Sequence, residues 1–309
     1  MAGNDKPKTT GSDAARQYMD IYAQCRDMIH SHSCDVMNAP RNAAYDDFCR
    51  QGLPTRKVER YKYTDMAPLF APDYGLNLNR LEIPVNPYEA FRCDVPNLST
   101  SLYFVVNDAF YTKLQPKGHL PEGVIIGSLA EEAAKKPHLI GKYYSRIAKT
   151  DGDAITALNT MMAQDGLLVY VPKGTKVDRT VQVINILRSD VDLMANRRVL
   201  IIVEPEAEIK LLFCDHAVDD RKFLTTQVIE AYVGDNAGLD LYCLEETHAK
   251  NTRVSNLYIE QQANSRVNHN IITLHNGVTR NKTDLAFCGE GAECNLCGCV
   301  IADKQQHVD

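Results

Sequence analysis

VEPEAEIKL (203–211), VGDNAGLDL (233–241), IEQQANSRV (259–267) and CGEGAECNL (288–296) are four versions of one pattern, and they decide the fold. Each enters a polar turn, reaches a small residue, and leaves on an alternating apolar segment. Aligned on Ala207, Ala237, Ala263 and Ala292, the pattern recurs at intervals of 30, 26 and 29 residues. Val203, Val233, Ile259 and Cys288 stand four positions before the alanines, and Ile201, Ala231, Leu257 and Ala286 stand six before. Ile209, Leu239, Ser265 and Cys294 lie two after, and Leu211, Leu241, Val267 and Leu296 lie four after. Residues of one parity point to one side of a strand, so these positions are expected to share an inward face. A pair of short strands cannot bury such a face alone, whereas stacked copies make a continuous core. The expected fold is mainly β, a right-handed parallel β-helix-like solenoid. An antiparallel sandwich also has short strands, but it does not require one turn to recur in phase.

Working outward, residues 1–13 are polar and read as a disordered tail. A helical or mixed N-terminal domain is expected over 14–157, and the β-helix core over 158–309. Tyr18, Ile21, Tyr22, Cys25, Met28 and Ile29 fall on one helical face. A second helix is expected from Asn42 to Gly52, an irregular Pro- and Asn-rich stretch over 53–100, and a short strand over Leu102–Val106. Leu129–Lys136 and Ala154–Met162 read as helices. The chain stops directly after a strand, so the core is expected to be truncated, with no capping domain.

Composition narrows the function classes. The net charge is −6, from 34 basic and 40 acidic side chains. That balance provides no general basic field for nucleic acid. The N-terminus has no apolar signal segment and no run of 18 apolar residues occurs, so a cytoplasmic location without membrane contact is expected. The ten cysteines are then reduced thiols.

No catalytic constellation emerges. The chain lacks GxxxxGK[ST], GxSxG and HExxH, and GEGAEC (289–294) lacks the third glycine and the following helix of a dinucleotide fingerprint. Cys294, Cys297 and Cys299 are the densest thiol cluster, and CxxC is a familiar ligand spacing. By strand parity Cys294 faces inward and Cys297 outward, so the two are not expected to share a metal. Cys297 and Cys299 share a face, about 6.6 Å apart, but lack a partner pair; no metal site is expected. His30, His32 and Cys34 read as a solvated helix end. His269 and His275 read as hydrogen-bonded, partly buried histidines, and Glu245 and Glu246 as solvated carboxylates. A polysaccharide-active β-helix enzyme is the alternative class, and it requires a line of charged residues on one outer face.

Three segments resemble a known family. GLPTRKVERYKYTDM (52–66), LNTMMAQDGLLVYVPKGTKV (158–177) and GEGAECNLCGCVIADKQQHVD (289–309) are similar, in order, to segments of the SufB/SufD family. These are subunits of the SUF iron–sulfur cluster assembly system, and the first segment favours the SufD branch. Tyr61 stands where the family usually has Trp, and the three clustered cysteines stand where relatives carry small or apolar residues. The resemblance implies a non-catalytic scaffold that pairs with SufB through the β-helices and binds the SufC ATPase through a C-terminal helical domain. It implies no stably bound cofactor, only an iron–sulfur cluster assembled transiently in the complex. The family's CSHGA-type motif and C-terminal domain have no counterpart in this sequence, so no family site residue is carried over: catalytic, cofactor and metal residues are all expected to be none. A SufB-like direct cluster carrier is the other reading within the family.

Overall fold

A computed structural model describes residues 11–90, 101–113, 120–303 and 305–309. The expected disordered tail lies outside these residues, except that residues 11–13 belong to the first helix. The chain opens with α1 (Gly11–Ser31), α2 (Asp35–Asn38), α3 (Arg41–Gln51), a 3-10 turn (Glu59–Tyr61), α4 (Met66–Phe70) and α5 (Pro87–Ala90). Then come β1 (Ser101–Val106), β2 (Ala109–Phe110), β3 (Ile125–Ser128), α6 (Leu129–Lys135), α7 (Pro137–Ile140) and α8 (Ala154–Met162). From there strands alternate between two sheets. They are β4 (Leu167–Val171), β5 (Val181–Leu187), β6 (Leu193–Val203), β7 (Glu208–Ala217), β8 (Phe223–Val233) and β9 (Gly238–Glu246). They continue as β10 (Asn251–Gln261), β11 (Arg266–His275), β12 (Val278–Phe287), β13 (Glu293–Val300) and β14 (His307–Val308).

The solenoid expected from the turn repeat is present. The first sheet runs β14-β12-β10-β8-β6-β4-β3 and the second β13-β11-β9-β7-β5-β1-β2. Each coil adds one parallel strand to each sheet, giving about five turns. Only the starting edges differ: β3 lies antiparallel to β4, and β2 antiparallel to β1. Between the sheets, Val199, Ile201, Val203, Leu211, Leu239, Leu241 and Val267 form part of one apolar core.

The register corrects the sequence alignment at one coil. Glu208, Gly238, Arg266 and Glu293 stack on one another, so the residues before them are equivalent: Ala207, Ala237, Ser265 and Ala292. Ser265, not Ala263, holds the third position. The true marker is the residue just before it, which has a left-handed backbone. Gly174, Glu206, Asn236, Asn264 and Gly291 all have positive φ, between 54° and 72°. The amide of each of the first four donates to a carbonyl in the next coil's turn: Pro205, Asp235, Ala263 and Glu290. The two-residue slip kept strand parity in β11, so Val267 and His269 still face inward. The last turn, however, holds one extra residue. Leu285, which pairs with Ile259, therefore packs toward the core, whereas Ala286 and Cys288 are exposed.

Helices cover the outer face of the first sheet. Side chains of α1, α3, α4 and α8 pack with Met194, Leu224 and Val254, while α2, α6 and α7 pack with Leu168, Leu200, Ile202 and Tyr232. Every residue of α8 is buried. Asp153 caps its N-terminus by accepting from the amides of Ile155 and Thr156. Arg41 closes its C-terminus by donating to the carbonyls of Met161 (2.8 Å) and Ala163 (2.6 Å), where the carbonyl end of the helix favours a cation.

Candidate functional site

The interior of the solenoid is not uniformly apolar. Beyond the core, away from the turn column, the same inward positions become polar. Arg197 on β6, Gln227 on β8, Arg253 and Ser255 on β10, and Thr279 and Asn281 on β12 come from the first sheet. Asp215 on β7, Cys243 and Glu245 on β9, and His269 and Thr273 on β11 come from the second. Arg197 pairs with Asp215 at 2.5 Å and donates to the Asn107 carbonyl at 2.7 Å. Arg253 lies 3.6 Å from Asp215 and 3.4 Å from Glu245. Glu245 also accepts from Thr279 at 2.6 Å. Two guanidiniums thus face two carboxylates, all buried. Such a strip is tolerated only because each charge has partners.

Burial acts against the ionised forms of Arg253, Cys243 and His269. It pulls Arg253 down, but Glu245 and Asp215 more than offset this and leave the guanidinium raised. It pushes the Cys243 thiol up to about 12, so that thiol is neither a ready nucleophile nor a ready ligand. His269 is lowered by burial and by the nearby Arg253, although its Nδ1 bonds the Leu241 carbonyl at 3.2 Å. Glu245 is therefore not solvated: it is fully enclosed in this strip, whereas Glu246 is exposed. No local motif separates the two, because inward parity distinguishes them only after the register is known.

The other candidates separate. Cys294 pairs in register with Val267 and packs against the core. Cys297 and Cys299 pair with Asn270 and Ile272, point to the outer side of the second sheet, and are exposed. His32 is exposed and lies 3.0 Å from the Met28 carbonyl, but Cys34 is buried among Met37, Leu129 and Ile140. The segment is thus a helix end folded against the body, not a solvated one. His30 bonds the Tyr22 hydroxyl at 3.1 Å, and His275 contacts Gln306 at 3.3 Å. Among the described residues, no three His, Cys, Asp or Glu side chains gather to hold a metal.

A cavity of about 470 Å³ opens between the 3-10 turn, residues 146–153 and the outer face of β10 and β12. Lys282 lies at its floor, 2.8 Å from Asp284, 3.1 Å from the Tyr258 hydroxyl and 3.4 Å from Asp153. Arg60, Arg146 and Lys149 also line it. These residues come from segments far apart in sequence, so no local motif could have indicated them. At the far end of the solenoid, Phe287, Leu296, Val300 and Ile301 are exposed.

Fold and site define a class: a parallel β-solenoid, one outer face sheathed by helices, with a buried ionic strip inside. Residues 12–183 match the family description "SufBD protein N-terminal region", and residues 185–309 match "SUF system FeS cluster assembly, SufBD core domain". The chain belongs to the SufBD family of the SUF iron–sulfur cluster assembly system. It is 26% identical over 230 residues to an Arabidopsis thaliana chloroplastic iron–sulfur cluster assembly SufBD family protein, ABCI8, covering 70% of this chain and 41% of that one. A second such protein from the same plant, ABCI9, is 26% identical over 192 residues, covering 62% and 40%. The iron–sulfur cluster assembly protein SufD of Bacillus subtilis is 28% identical over 149 residues, covering 47% and 34%. The chain therefore spans less than half the length of these relatives. Among the described residues no helix is long and apolar enough to cross a membrane.

Proposed function

We propose that the chain is a non-catalytic, SufD-like scaffold subunit of an SUF-type assembly complex. In this reading its solenoid pairs with that of a SufB-type subunit, and a SufC-type ATPase supplies the hydrolysis. An iron–sulfur cluster passes through the complex as cargo, with none resident on this chain. The observation that supports it best is the ordered match of both family regions along the chain, on a solenoid whose inward charges are consumed by one another. A strip in which Arg197, Asp215, Arg253 and Glu245 are mutually paired has the character of a rigid frame. The exposed apolar side chains of β12 and β13 suit burial by further β-structure.

Co-expression of this chain with SufB-type and SufC-type proteins, followed by anaerobic affinity purification, tests the proposal. The expected result is retention of the SufB-type subunit and no visible cluster absorbance on this chain purified alone and reconstituted with iron and sulfide. Cluster absorbance on the isolated chain, with no retained partner, would overturn the scaffold reading in favour of a direct carrier.

A further inference from the structure

The edge of the solenoid that carries the turns holds a second, smaller cavity, of about 190 Å³. It arises from a gap in the stacking. On the outer face of the first sheet, Tyr232 lies in register between Ile202 and Glu260. The next outward row is Glu204, Gly234 and Gln262. The Gly234 amide donates to the Val203 carbonyl (2.8 Å) and the Gln262 amide to the Val233 carbonyl (2.9 Å), which keeps this row aligned. Gly234 leaves the middle of the row empty, and a Cβ there would meet the Pro205 nitrogen at 2.6 Å. Tyr143 lines the notch beside Tyr232, edge to face with 4.9 Å between ring centres, and the Tyr232 hydroxyl holds it by donating to the Tyr143 carbonyl at 2.6 Å. The notch lies on β6, β8 and β10, each of which has a paired strand on either side.

The charge of the notch is one-sided. Glu204, Asp235 and Glu260 line it, with no lysine or arginine among the described residues. Each uses one oxygen in a hydrogen bond to a neutral group. Glu204 accepts from the Tyr143 hydroxyl at 3.2 Å, Glu260 from the Gln262 side-chain amide at 3.2 Å, and Asp235 from the Ala263 amide at 3.0 Å. Glu206 and Glu208, in the same turn as Glu204, instead face Lys173 and Lys176. Arg146 shares the larger cavity with Glu260, yet its guanidinium bonds the Gly141 carbonyl at 3.2 Å. We propose that the notch receives the ammonium of a lysine side chain carried by a basic segment of a partner protein. Glu204 and Glu260 stand on strands two spacings apart, about 9.6 Å at the backbone, so an ammonium above Gly234 lies between them. Burial pushes the Tyr143 phenol up to about 12, with Glu204 adding to it, so that ring is an uncharged wall. A cation beside aromatic rings and unpaired carboxylates gains from both. At about 30 Å³ per water the cavity has room for about six waters, which suits one butylammonium arm. Whatever bears that arm stays outside, along the turn edge, as the backbone of a partner segment would.

The test is fluorescence anisotropy of the 309-residue chain with a labelled peptide of alternating lysine and glycine, at about 0.15 M ionic strength. The same peptide with norleucine in place of lysine is the neutral control. The lysine peptide is expected to bind and the norleucine peptide not to. Glu204→Gln and Glu260→Gln keep the shape and remove the charge, and each should weaken binding about three- to fivefold. Glu206→Gln and Glu208→Gln remove the same charge from the same turn outside the notch and should leave binding unchanged. Carbodiimide cross-linking read by mass spectrometry should join the peptide to Glu204 or Glu260. Both side chains are half-buried, so circular dichroism of the two variants should match the parent. Equal weakening by Glu206→Gln and Glu208→Gln would mean diffuse attraction to an acidic edge and overturn the proposal. So would equal behaviour of the lysine and norleucine peptides on the parent chain, which needs no variant to fold. Putrescine binding more tightly than the lysine peptide would replace the partner segment with a free amine as the ligand.

Discussion

The two sheets are cut from the same coils yet live in different surroundings. On the first sheet, β6 and β8 are buried at every position. On the second, β7 and β9 alternate between buried and partly or fully exposed. The helical layer makes the difference, since it turns the outer face of the first sheet into a second core. A polar group placed there must find its partners inside the protein. Glu230, on the outward side of β8, shows how completely this is done. Its carboxylate accepts from the amides of Ser145, Arg146, Ile147 and Ala148 and pairs with Arg198 at 2.5 Å. Arg198 in turn reaches Thr160 on α8 and lies over the Tyr144 ring. One carboxylate thus fixes a loop, a helix and a strand together.

The largest test of this contrast is an ion pair on each side. Arg198→Met leaves the Glu230 charge buried without its cation and should cost about 3–5 kcal/mol in urea unfolding. Lys176→Met breaks a solvent-exposed pair with Glu208, 2.8 Å long, beside the second sheet. Its expected cost is about 0–1 kcal/mol. Equal losses from the two substitutions would mean that the helical layer does not create a second core.

A sharper version uses adjacent residues of β9. Leu241 is fully buried between the sheets, while Tyr242 points outward and is 38% exposed. Leu241→Ala should cost about 2–5 kcal/mol through lost burial and the cavity left behind. Tyr242→Ala should stay within about 0.5 kcal/mol, as surface changes usually do. The midpoint of denaturant unfolding checks both, and a large loss at Tyr242 would imply a partner on the open face.

The same contrast explains what could be read from the sequence. Alternation along VGDNAGLDL announced a strand with one face inward, because β9 belongs to the sheet whose outer side meets water. The strands of the first sheet gave no such alternation: Asn196, Arg197 and Arg198 run consecutively and are all buried. Arg197 enters the polar strip, while Arg198 reaches the helical layer and Asn196 accepts from Thr226 on the neighbouring strand, and no local pattern separates them. The turn repeat was legible as a period but not to the residue. Alanine marks the period in the sequence, although the physical constraint is the left-handed residue before Ala207, Ala237, Ser265 and Ala292. Glu245 is not legible as a buried carboxylate, because its partner Arg253 comes to face it only when the corner between β9 and β10 turns both side chains into the coil.

Acid probes the interior between the sheets. Burial holds the His269 imidazole below its ordinary value, and Arg253 lowers it further. In the unfolded chain the ring takes its proton near pH 6.5. Below that pH the unfolded state binds more protons than the folded state, so stability falls as acid is added and is fully present above it. His30 is lowered as well, again mainly by burial, and contributes with the same sign. His269→Gln should therefore flatten, without abolishing, the drop in urea midpoint between pH 7 and pH 5. An unchanged pH profile in that variant would show that the imidazole is not buried as a neutral group.

The smallest expected effect lies where the two sheets are joined. Five turn residues share the left-handed conformation: Gly174 and Gly291 are glycines, Asn236 and Asn264 are the side chains that tolerate it best, and Glu206 is neither. Among the described residues the Glu206 carboxylate pairs with Lys173, at 3.6 Å and largely in solvent, so little is lost by removing it. The left-handed backbone costs a residue with a Cβ roughly 1 kcal/mol, and glycine gives part of that back by entering the unfolded state with more freedom to lose. Glu206→Gly should thus raise the unfolding free energy by a few tenths to about 1 kcal/mol. The matched substitution Asn236→Gly should gain less, because asparagine already suits the conformation. If Glu206→Gly destabilises instead, the turn column does not set the register, and the stacking of the small residues Ala207, Ala237, Ser265 and Ala292 must do so.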